Sequence, residues 1–346
     1  MTPTTKSTET FARGAIASVS MHNDSSESVD LRFFDLLSSG NLLRQITSRH
    51  AEVATFRVRL RGCESIVAVK HLRLNAPYAK QSIQNEFLTL RWLQKVLGES
   101  LSRTIPRPLL LLENEQTIVF TFVPGTPLNH LLRRDANAVT ARLNIIGTKR
   151  LEASGFRIGE WLKAFHDATA VEDQTFDHLR FSAELDSLLA KCEPLGLSSP
   201  ALKAVRDAAL SLSANSSGCM VSAAATHGDF LPQNVLLDRG RPGVIDFASF
   251  CPSGPVYTDV AHFIGYLEIL ARKPLYSRKT VESVARQFMS GYHRVLNLDM
   301  LRLYVVRAIL RIIADGNQQS LSGLVHTTTD LLSSILNRRL TDLIPE

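Results

Sequence analysis

Four residues within one short stretch have the types and spacing of a reaction centre. Thr226 to Phe247, THGDFLPQNVLLDRGRPGVIDF, holds a His-Gly-Asp followed five residues later by Asn234 and twelve after that by Asp246. Asp229 supplies a carboxylate able to accept a proton from a hydroxyl. Asn234 and Asp246 supply hard oxygen ligands of the kind that hold magnesium on a nucleoside triphosphate. Together they fit phosphoryl transfer. Taken singly, each also fits an ordinary turn or strand cap.

The elements that must position these groups are local. Ala223 to Thr226 enters a tight turn at Gly228, Val235 to Leu237 reads as a short apolar strand, Arg239 to Gly243 as a turn and Val244-Ile245 as a second strand. A hairpin with polar groups at both ends is expected.

The spacing HGDxxxxN with a following Asp resembles the family of aminoglycoside phosphotransferases and choline kinases, whose fold is protein-kinase-like. The resemblance implies that Asp229 is the catalytic acid-base group, that Asn234 and Asp246 are metal ligands, and that His227 is a packing residue. Further on, GPVYTDVAHF (Gly254 to Phe263) is similar to the family's Gly-x-Pro-x-x-Asp-Leu-Ala segment, which makes Asp259 a buried acceptor bracing the loop. The resemblance covers roughly residues 40 to 300, and its motifs concentrate between 226 and 263.

Upstream, Ala54 to Arg61 alternates strictly, with Phe56, Val58 and Leu60 on one face and three arginines on the other, as a half-buried strand does. A turn returns the chain into Ile66 to Leu72, where Ile66, Ala68 and Lys70 share a face. VAVK (Val67 to Lys70) resembles the family's lysine strand, in which Ala68 makes room for adenine and Lys70 pairs the nucleotide phosphates; an edge lysine pointing into water is the alternative. Ser82 to Leu97 is helical by period, with Ile83, Phe87, Leu90 and Val96/Leu97 as its apolar stripe, Glu86 at the edge and Gly98 as its stop. The resemblance pairs Glu86 with Lys70. Leu109 to Leu112 and Thr117 to Phe122 read as two more strands, running into the breaker Val123-Pro124-Gly125. The family's hinge lies there, so the Thr121 carbonyl and the Val123 amide are the expected adenine contacts.

Beyond the breaker the pattern turns helical: Leu128 to Arg134, a long helix ending near RIGEWLKAFHDAT, a helix opened by Ser199-Pro200, and amphipathic helices near 259–272, 279–296, 299–314 and 320–339. His166 reads as a packed core histidine. Strands first and helices later give an α+β class, a two-lobed protein-kinase-like fold with a small antiparallel-sheet N-lobe and a larger, mostly helical C-lobe. The expected division is a flexible tail over 1–26, with a possible short helix at 30–37 after it, an N-lobe over 27–122 and a C-lobe over 123–346.

Two departures from the family pattern stand out. The expected phosphate-covering loop, Thr47 to Val53, has no glycine, so either the Ser48 and Arg49 side chains substitute for it or nucleotide binding is weak. The Asp-Phe-Gly position is Asp246-Phe247-Ala248, which loses flexibility but no metal ligand.

Composition is that of a soluble globular chain: 346 residues, 45% hydrophobic and 21% charged, so a large core is affordable. The four cysteines lack CxxC spacing, which argues against a zinc site or a disulfide framework. No apolar run approaches the roughly 18 residues of a spanning helix and the first residues lack a signal-peptide core, so a cytoplasmic protein without membrane insertion is expected. A net charge of +6 is dispersed, which points to a nucleotide rather than a nucleic acid as the anionic partner.

The expected function is an ATP-dependent phosphotransferase using Mg2+ and acting on a hydroxyl of a small molecule, sugar-like or an amino alcohol. An atypical protein kinase and a non-catalytic nucleotide-binding scaffold are the alternatives. A polycationic aminoglycoside is not the expected acceptor, because from Pro252 onward eleven Lys and Arg face eight Asp and Glu. Lys279, Arg286 and His293 recur every seven residues and form one basic helical face, open to an anionic or neutral sugar-like acceptor or simply solvated. Oligomeric state is not readable from the chain.

Overall fold

The computed structural model describes residues 40–47, 51–60, 63–73, 79–113, 116–139, 141, 145–195, 199–315 and 325–337. The expected tail over 1–26, the short helix at 30–37, and Ser48 and Arg49 lie outside the described residues. The chain divides into two compact units. One contains the described residues up to Lys95 together with Pro106–Val123, and the other contains Val96–Ile105 and the described residues from Pro124 onward.

In the first unit, strands β1 (Asn41–Thr47), β2 (Ala51–Leu60) and β3 (Cys63–Leu72) precede helix α1 (Ala79–Val96). After the short helix α2 (Glu99–Ser102), which belongs to the second unit, come β4 (Pro108–Leu112) and β5 (Thr117–Thr121). The sheet runs β1-β2-β3-β5-β4, antiparallel at every pairing. Alternation along β2 buries Phe56 and Val58 and leaves Arg57 exposed. Those two meet Val67 and Val119 in a cluster bordered by Ala54, Val69, Leu109 and Leu110. Each such side chain contributes about 1.5–3 kcal/mol by leaving water. The β1–β2 ladder continues to Thr47 opposite Glu52, so most of the expected loop from Thr47 to Val53 is strand.

Helix α1 departs from expectation in its stripe. Ile83, Glu86, Leu90, Leu93 and Leu97 are buried, whereas Phe87 is half-buried beneath the Arg91 guanidinium and Val96 is exposed. At 3.6 residues per turn these five buried residues fall within an arc of about 80°, with Leu93 and Ile83 at its two edges; Phe87 lies about 40° beyond the Ile83 edge and Val96 about 60° beyond the Leu93 edge. Gly98 does not close this helix in a left-handed turn. At φ −59° it opens α2, its carbonyl accepting the Leu101 and Ser102 amides at 3.1 and 3.0 Å.

The second unit holds β6 (Thr126–Pro127), α3 (Leu128–Asp135), α4 (Ile145–Ala168), β7 (Gln174–Thr175), α5 (His178–Cys192), α6 (Ser199–Asn215), β8 (Met220–Val221) and β9 (Ala223–Thr226). It continues through β10 (Val235–Asp238), β11 (Arg241–Val244), β12 (Cys251–Pro255), α7 (Tyr257–Ala271), α8 (Arg278–Tyr292), α9 (Leu298–Asp315) and α10 (Val325–Asn337). Helix α7 is not amphipathic as expected: every residue but Tyr266 is buried, because α8, α9 and α10 all pack on it. Helices α4 and α8 come unusually close. A β-carbon at Gly159 would run into the Phe288 carbonyl, and one at Gly291 into the Phe156 carbonyl, so only glycine permits this approach. No helix among the described residues is long and apolar enough to cross a membrane. The class is α+β, an antiparallel sheet followed by a mostly helical remainder.

Candidate active site

The loop that presents Asp229 begins where β9 ends. β9 is paired with β12 and its four residues are buried, which fixes Thr226 at the mouth of the turn. Gly228 adopts φ 78°, and a β-carbon there would collide with the Ser249 carbonyl oxygen. Glycine is required twice over, by backbone conformation and by space. The following residues pack a ring layer under the loop: Trp161 lies between Phe165 at 5.3 Å and Phe230 at 5.9 Å, while His227 sits 4.6 Å from Phe247.

Asp259 holds the loop from below. Its carboxylate is fully buried and accepts the His227 amide at 2.8 Å, the Gly228 amide at 2.9 Å and His166 Nε2 at 3.2 Å. Burial alone would raise this carboxyl. The hydrogen bond from His166, first among the opposing causes, and the His227 backbone amide outweigh it and keep Asp259 below its ordinary value. His166 Nδ1 in turn meets the Tyr292 hydroxyl at 2.9 Å. His166 is thus a buried structural histidine. His227 is another: its Nδ1 accepts the Asp229 amide at 3.3 Å, so the proton resides on Nε2, which donates to the Ile245 carbonyl at 3.0 Å.

Asp229 and Asn234 are brought together directly. Asn234 Nδ2 donates to the Asp229 carbonyl at 2.9 Å and to its Oδ2 at 3.0 Å, which turns the Asn234 Oδ1 the opposite way. Asn234 itself is pinned by its amide to the Leu231 carbonyl at 2.9 Å and by accepting the Ile245 amide at 3.0 Å. The Asp229 carboxyl is pushed up, first by burial and then by the nearby Asp246 charge, against the opposing pull of His227 and Asn234. Asp246 has φ 68° and ψ 66°, a left-handed conformation that Asp tolerates better than most residues, and its side chain does not cap the short turn Phe247–Ser249. The β10–β11 hairpin that spaces Asn234 from Asp246 turns at Arg239 and Gly240, φ 50° and 79°, the paired positive values of a tight hairpin. The turn is therefore shorter than expected, and the second strand is Arg241–Val244 rather than Val244-Ile245. Arg157 Nη1 donates to the Gly240 carbonyl at 3.0 Å and ties the hairpin to α4.

In the first unit Lys70 and Glu86 meet. Lys70 Nζ donates to Glu86 Oε2 at 2.8 Å, and both are buried at 8% and 3% exposure, which excludes a lysine pointing into water. Ala68, on the same strand face, is opposite Phe120 on β5 and Thr55 on β2. Thr121 receives the Arg107 amide on Oγ1 and donates its own amide to the Arg107 carbonyl, each at 2.9 Å, and Val123 is buried just beyond. Lys70→Ala and Glu86→Ala are expected each to reduce turnover by about a hundredfold or more, because removing one partner of a buried pair leaves the other uncompensated. The double variant is expected to lose little beyond the worse single one, since both hold one geometry. A double mutant losing the product of the two effects would show them to be independent.

The basic face of α8 stays in solvent: Lys279 and Arg286 are exposed, and His293 follows the helix end at φ 24°. Tyr292, 126 positions from His166, takes part in the brace without any local motif that marks it.

Among curated proteins none matches the chain. Solved structures do. The gentamicin complex of APH(2")-IIa is 15% identical with a TM-score of 0.53, covering 94% of this chain and 100% of its own. A thermostable mutant of aminoglycoside phosphotransferase APH(4)-Ia, in ternary complex with ADP and hygromycin B, is 17% identical with a TM-score of 0.56, covering 90% and 98%. A choline/ethanolamine kinase family protein from Mesorhizobium loti is 14% identical with a TM-score of 0.55, covering 91% and 98%. These likenesses show a shared kinase-like fold. The family model described as the phosphotransferase enzyme family matches residues 44–304, a stretch that contains Lys70, Glu86, the Asp229 loop and Asp259, and so the chain belongs to the phosphotransferase enzyme family.

Proposed function

We propose that the protein transfers the γ-phosphate of ATP to a hydroxyl of a small molecule, sugar-like or an amino alcohol and not a polycationic aminoglycoside. The observation that carries this is the Asp229 carboxylate, half-buried, pushed up and oriented through Oδ2 by Asn234, in a chain of the phosphotransferase family. Asp229 Oδ1 receives the acceptor hydroxyl's proton. The acceptor oxygen forms a bond to the γ-phosphorus as the bond to the β,γ-bridging oxygen breaks, and ADP leaves with that oxygen. Lys70, held by Glu86, binds the nucleotide's phosphates; Ala68 gives adenine space, and the Thr121 carbonyl and Val123 amide read its edge.

The donor set fits magnesium. Asn234 Oδ1 and the Asp246 carboxylate are hard oxygens, and the mutual repulsion of Asp229 and Asp246 is what a divalent cation relieves. No cluster of three or more His, Cys, Asp and Glu exists among the described residues, in keeping with a metal that takes one or two carboxylates and completes its shell from phosphates and water. Asn234 and Asp246 would hold the ion, which would neutralise phosphate charge when bound.

A protein kinase reading is disfavoured by Gly228. The conformation and space at that position admit no side chain, hence no arginine to receive a phosphorylated loop. Purified protein with magnesium and ATP is expected to release ADP only in the presence of a hydroxylated acceptor, and Asp246→Ala is expected to abolish magnesium-dependent nucleotide binding in calorimetry. Absence of acceptor-dependent ADP across neutral, acidic and amino-alcohol acceptors would favour a scaffold. Efficient phosphorylation of a kanamycin-like compound at micromolar concentration would refute the charge argument.

A further inference from the structure

Helix α8 ends on Tyr292, whose side chain is wholly buried. Its hydroxyl lies 2.9 Å from His166 Nδ1, and its ring meets the imidazole edge-on with centroids 5.8 Å apart. The helix stops where His293 turns to φ 24°, a conformation few non-glycine residues adopt, with its Nδ1 donating to the Gly291 carbonyl at 3.0 Å. On both sides of Tyr292 the chain is fastened to the two helices that carry the brace. Gly291 abuts the Phe156 carbonyl of α4, Arg294 pairs with Asp167 beside His166, and the Asn297 amide donates to the Tyr257 hydroxyl of α7 at 2.9 Å. The Tyr292 hydroxyl is therefore held in place from several directions.

A buried hydroxyl proton needs an acceptor, and among the described residues the hydrogen-bond partner of the Tyr292 oxygen is His166 Nδ1. Burial pushes the Tyr292 hydroxyl well above its ordinary value, so it keeps its proton and donates it. Nδ1 thus accepts, and the imidazole carries its single proton on Nε2. That proton faces Asp259 Oδ2 at 3.2 Å, the oxygen that also accepts the His227 amide at 2.8 Å, while Oδ1 accepts the Gly228 amide at 2.9 Å. The bond from His166 is the longest of these three. It is also the one that depends on the orientation of a side-chain ring, whose last torsion has broad wells of its own.

We propose that Tyr292 is a positioning residue for phosphoryl transfer: by donating to His166 Nδ1 it holds the imidazole neutral, with Nε2–H turned onto Asp259, and so keeps the Asp229 loop in place. The inference rests on the phosphotransfer reading and adds to it a residue that acts through His166 and Asp259 rather than on the reacting atoms. Without the hydroxyl, Nδ1 is buried and unpartnered, and the ring loses the anchor opposite its Asp259 bond. The carboxylate then shares fewer donors and the two loop amides are held less firmly. A small displacement of Asp229 is enough to matter, since transfer depends on its reach to the acceptor hydroxyl.

Nitrogen NMR of the full-length protein with isotope-labelled histidine reads the tautomer directly. The His166 signals, assigned by their loss in His166→Gln, are expected to show Nδ1 unprotonated and Nε2 protonated; the opposite tautomer or a doubly protonated ring in the wild type overturns the proposal. Tyr292→Phe keeps the ring and removes only the hydroxyl. It is expected to speed hydrogen exchange at the His227 and Gly228 amides by about tenfold beyond any change in the amides of α9, which report general stability. It is also expected to lower kcat by about tenfold with the KM for ATP within about twofold. Loop amides that gain no more than about threefold over those of α9, or a kcat within about threefold of an active wild type, overturn the proposal. If the tautomer and the exchange results hold while neither protein releases ADP with any acceptor, the Tyr292 brace stands and the phosphotransfer reading fails.

Discussion

Asp229→Asn is expected to lower kcat by about three orders of magnitude while leaving nucleotide affinity within about twofold, because a proton acceptor acts in the transition state and not in the bound ground state. The substitution is nearly isosteric, and an amide oxygen in place of Oδ2 still accepts from Asn234 Nδ2, so the loop has no cause to move. Its effect on stability is expected to run the other way. The Asp229 carboxyl is raised in the folded protein, chiefly by burial, so its ionised form is held at a cost. A carboxyl whose folded pKa exceeds the unfolded one contributes stability below the unfolded value, about 3.9, and loses it as pH rises through the folded value. At neutral pH the wild type therefore carries the cost and the Asn variant does not. A melting temperature equal to or above wild type, combined with loss of turnover, is the expected signature of a residue kept for chemistry. Equal losses of binding and turnover, or a large fall in melting temperature, would assign Asp229 to ligand holding or to structure.

Much of this site was legible because its parts are close in sequence. Asp229, Asn234 and Asp246 are spaced by one hairpin, and the turn residues Arg239 and Gly240 and the apolar runs beside them encode that hairpin locally. The alternation of β2 was equally plain, since a strand with one buried face writes its period into the chain. Where packing partners come from afar, the pattern misleads. Phe87 has the character of a stripe residue and Leu93 does not stand out from it, because apolar character does not say which side of a helix meets the core. Helix α7 carries His262, Glu268 and Asp259 and reads as amphipathic. Its polar side chains are nevertheless buried, because Asp259 is bonded to the loop and Glu268 to Arg272 at 2.6 Å. The close approach of α4 and α8 depends on Gly159 and Gly291, which are far apart in the chain and speak only once the helices are in contact.

Asp259→Ala is expected to destabilise the protein by about 4 kcal/mol and to abolish activity even in the folded fraction. The wild-type carboxylate satisfies two buried amides, those of His227 and Gly228, and a buried imidazole. Alanine leaves all three without this acceptor, and a buried donor stranded in this way costs about 1–3 kcal/mol. Asp259→Asn is the sharper experiment. Its single carbonyl oxygen can accept one amide, but its Nδ2 then faces the other donor, so a loss of about 2 kcal/mol is expected together with a displaced Asp229. For domains of about 150–250 residues, each kcal/mol corresponds to about 2–4 °C in melting temperature, which makes the two variants separable by calorimetry. The pH dependence adds an independent check. Because the Asp259 carboxyl is held below its ordinary value, its contribution is complete above the unfolded pKa of about 3.9 and is lost as pH falls through the folded value. Wild type is therefore expected to lose stability steeply below about pH 4, and Asp259→Asn to show a shallower loss over the same window. Parallel acid curves for the two proteins would mean that Asp259 does not carry the brace, and that the loop is held by Gly228 and the aromatic layer alone.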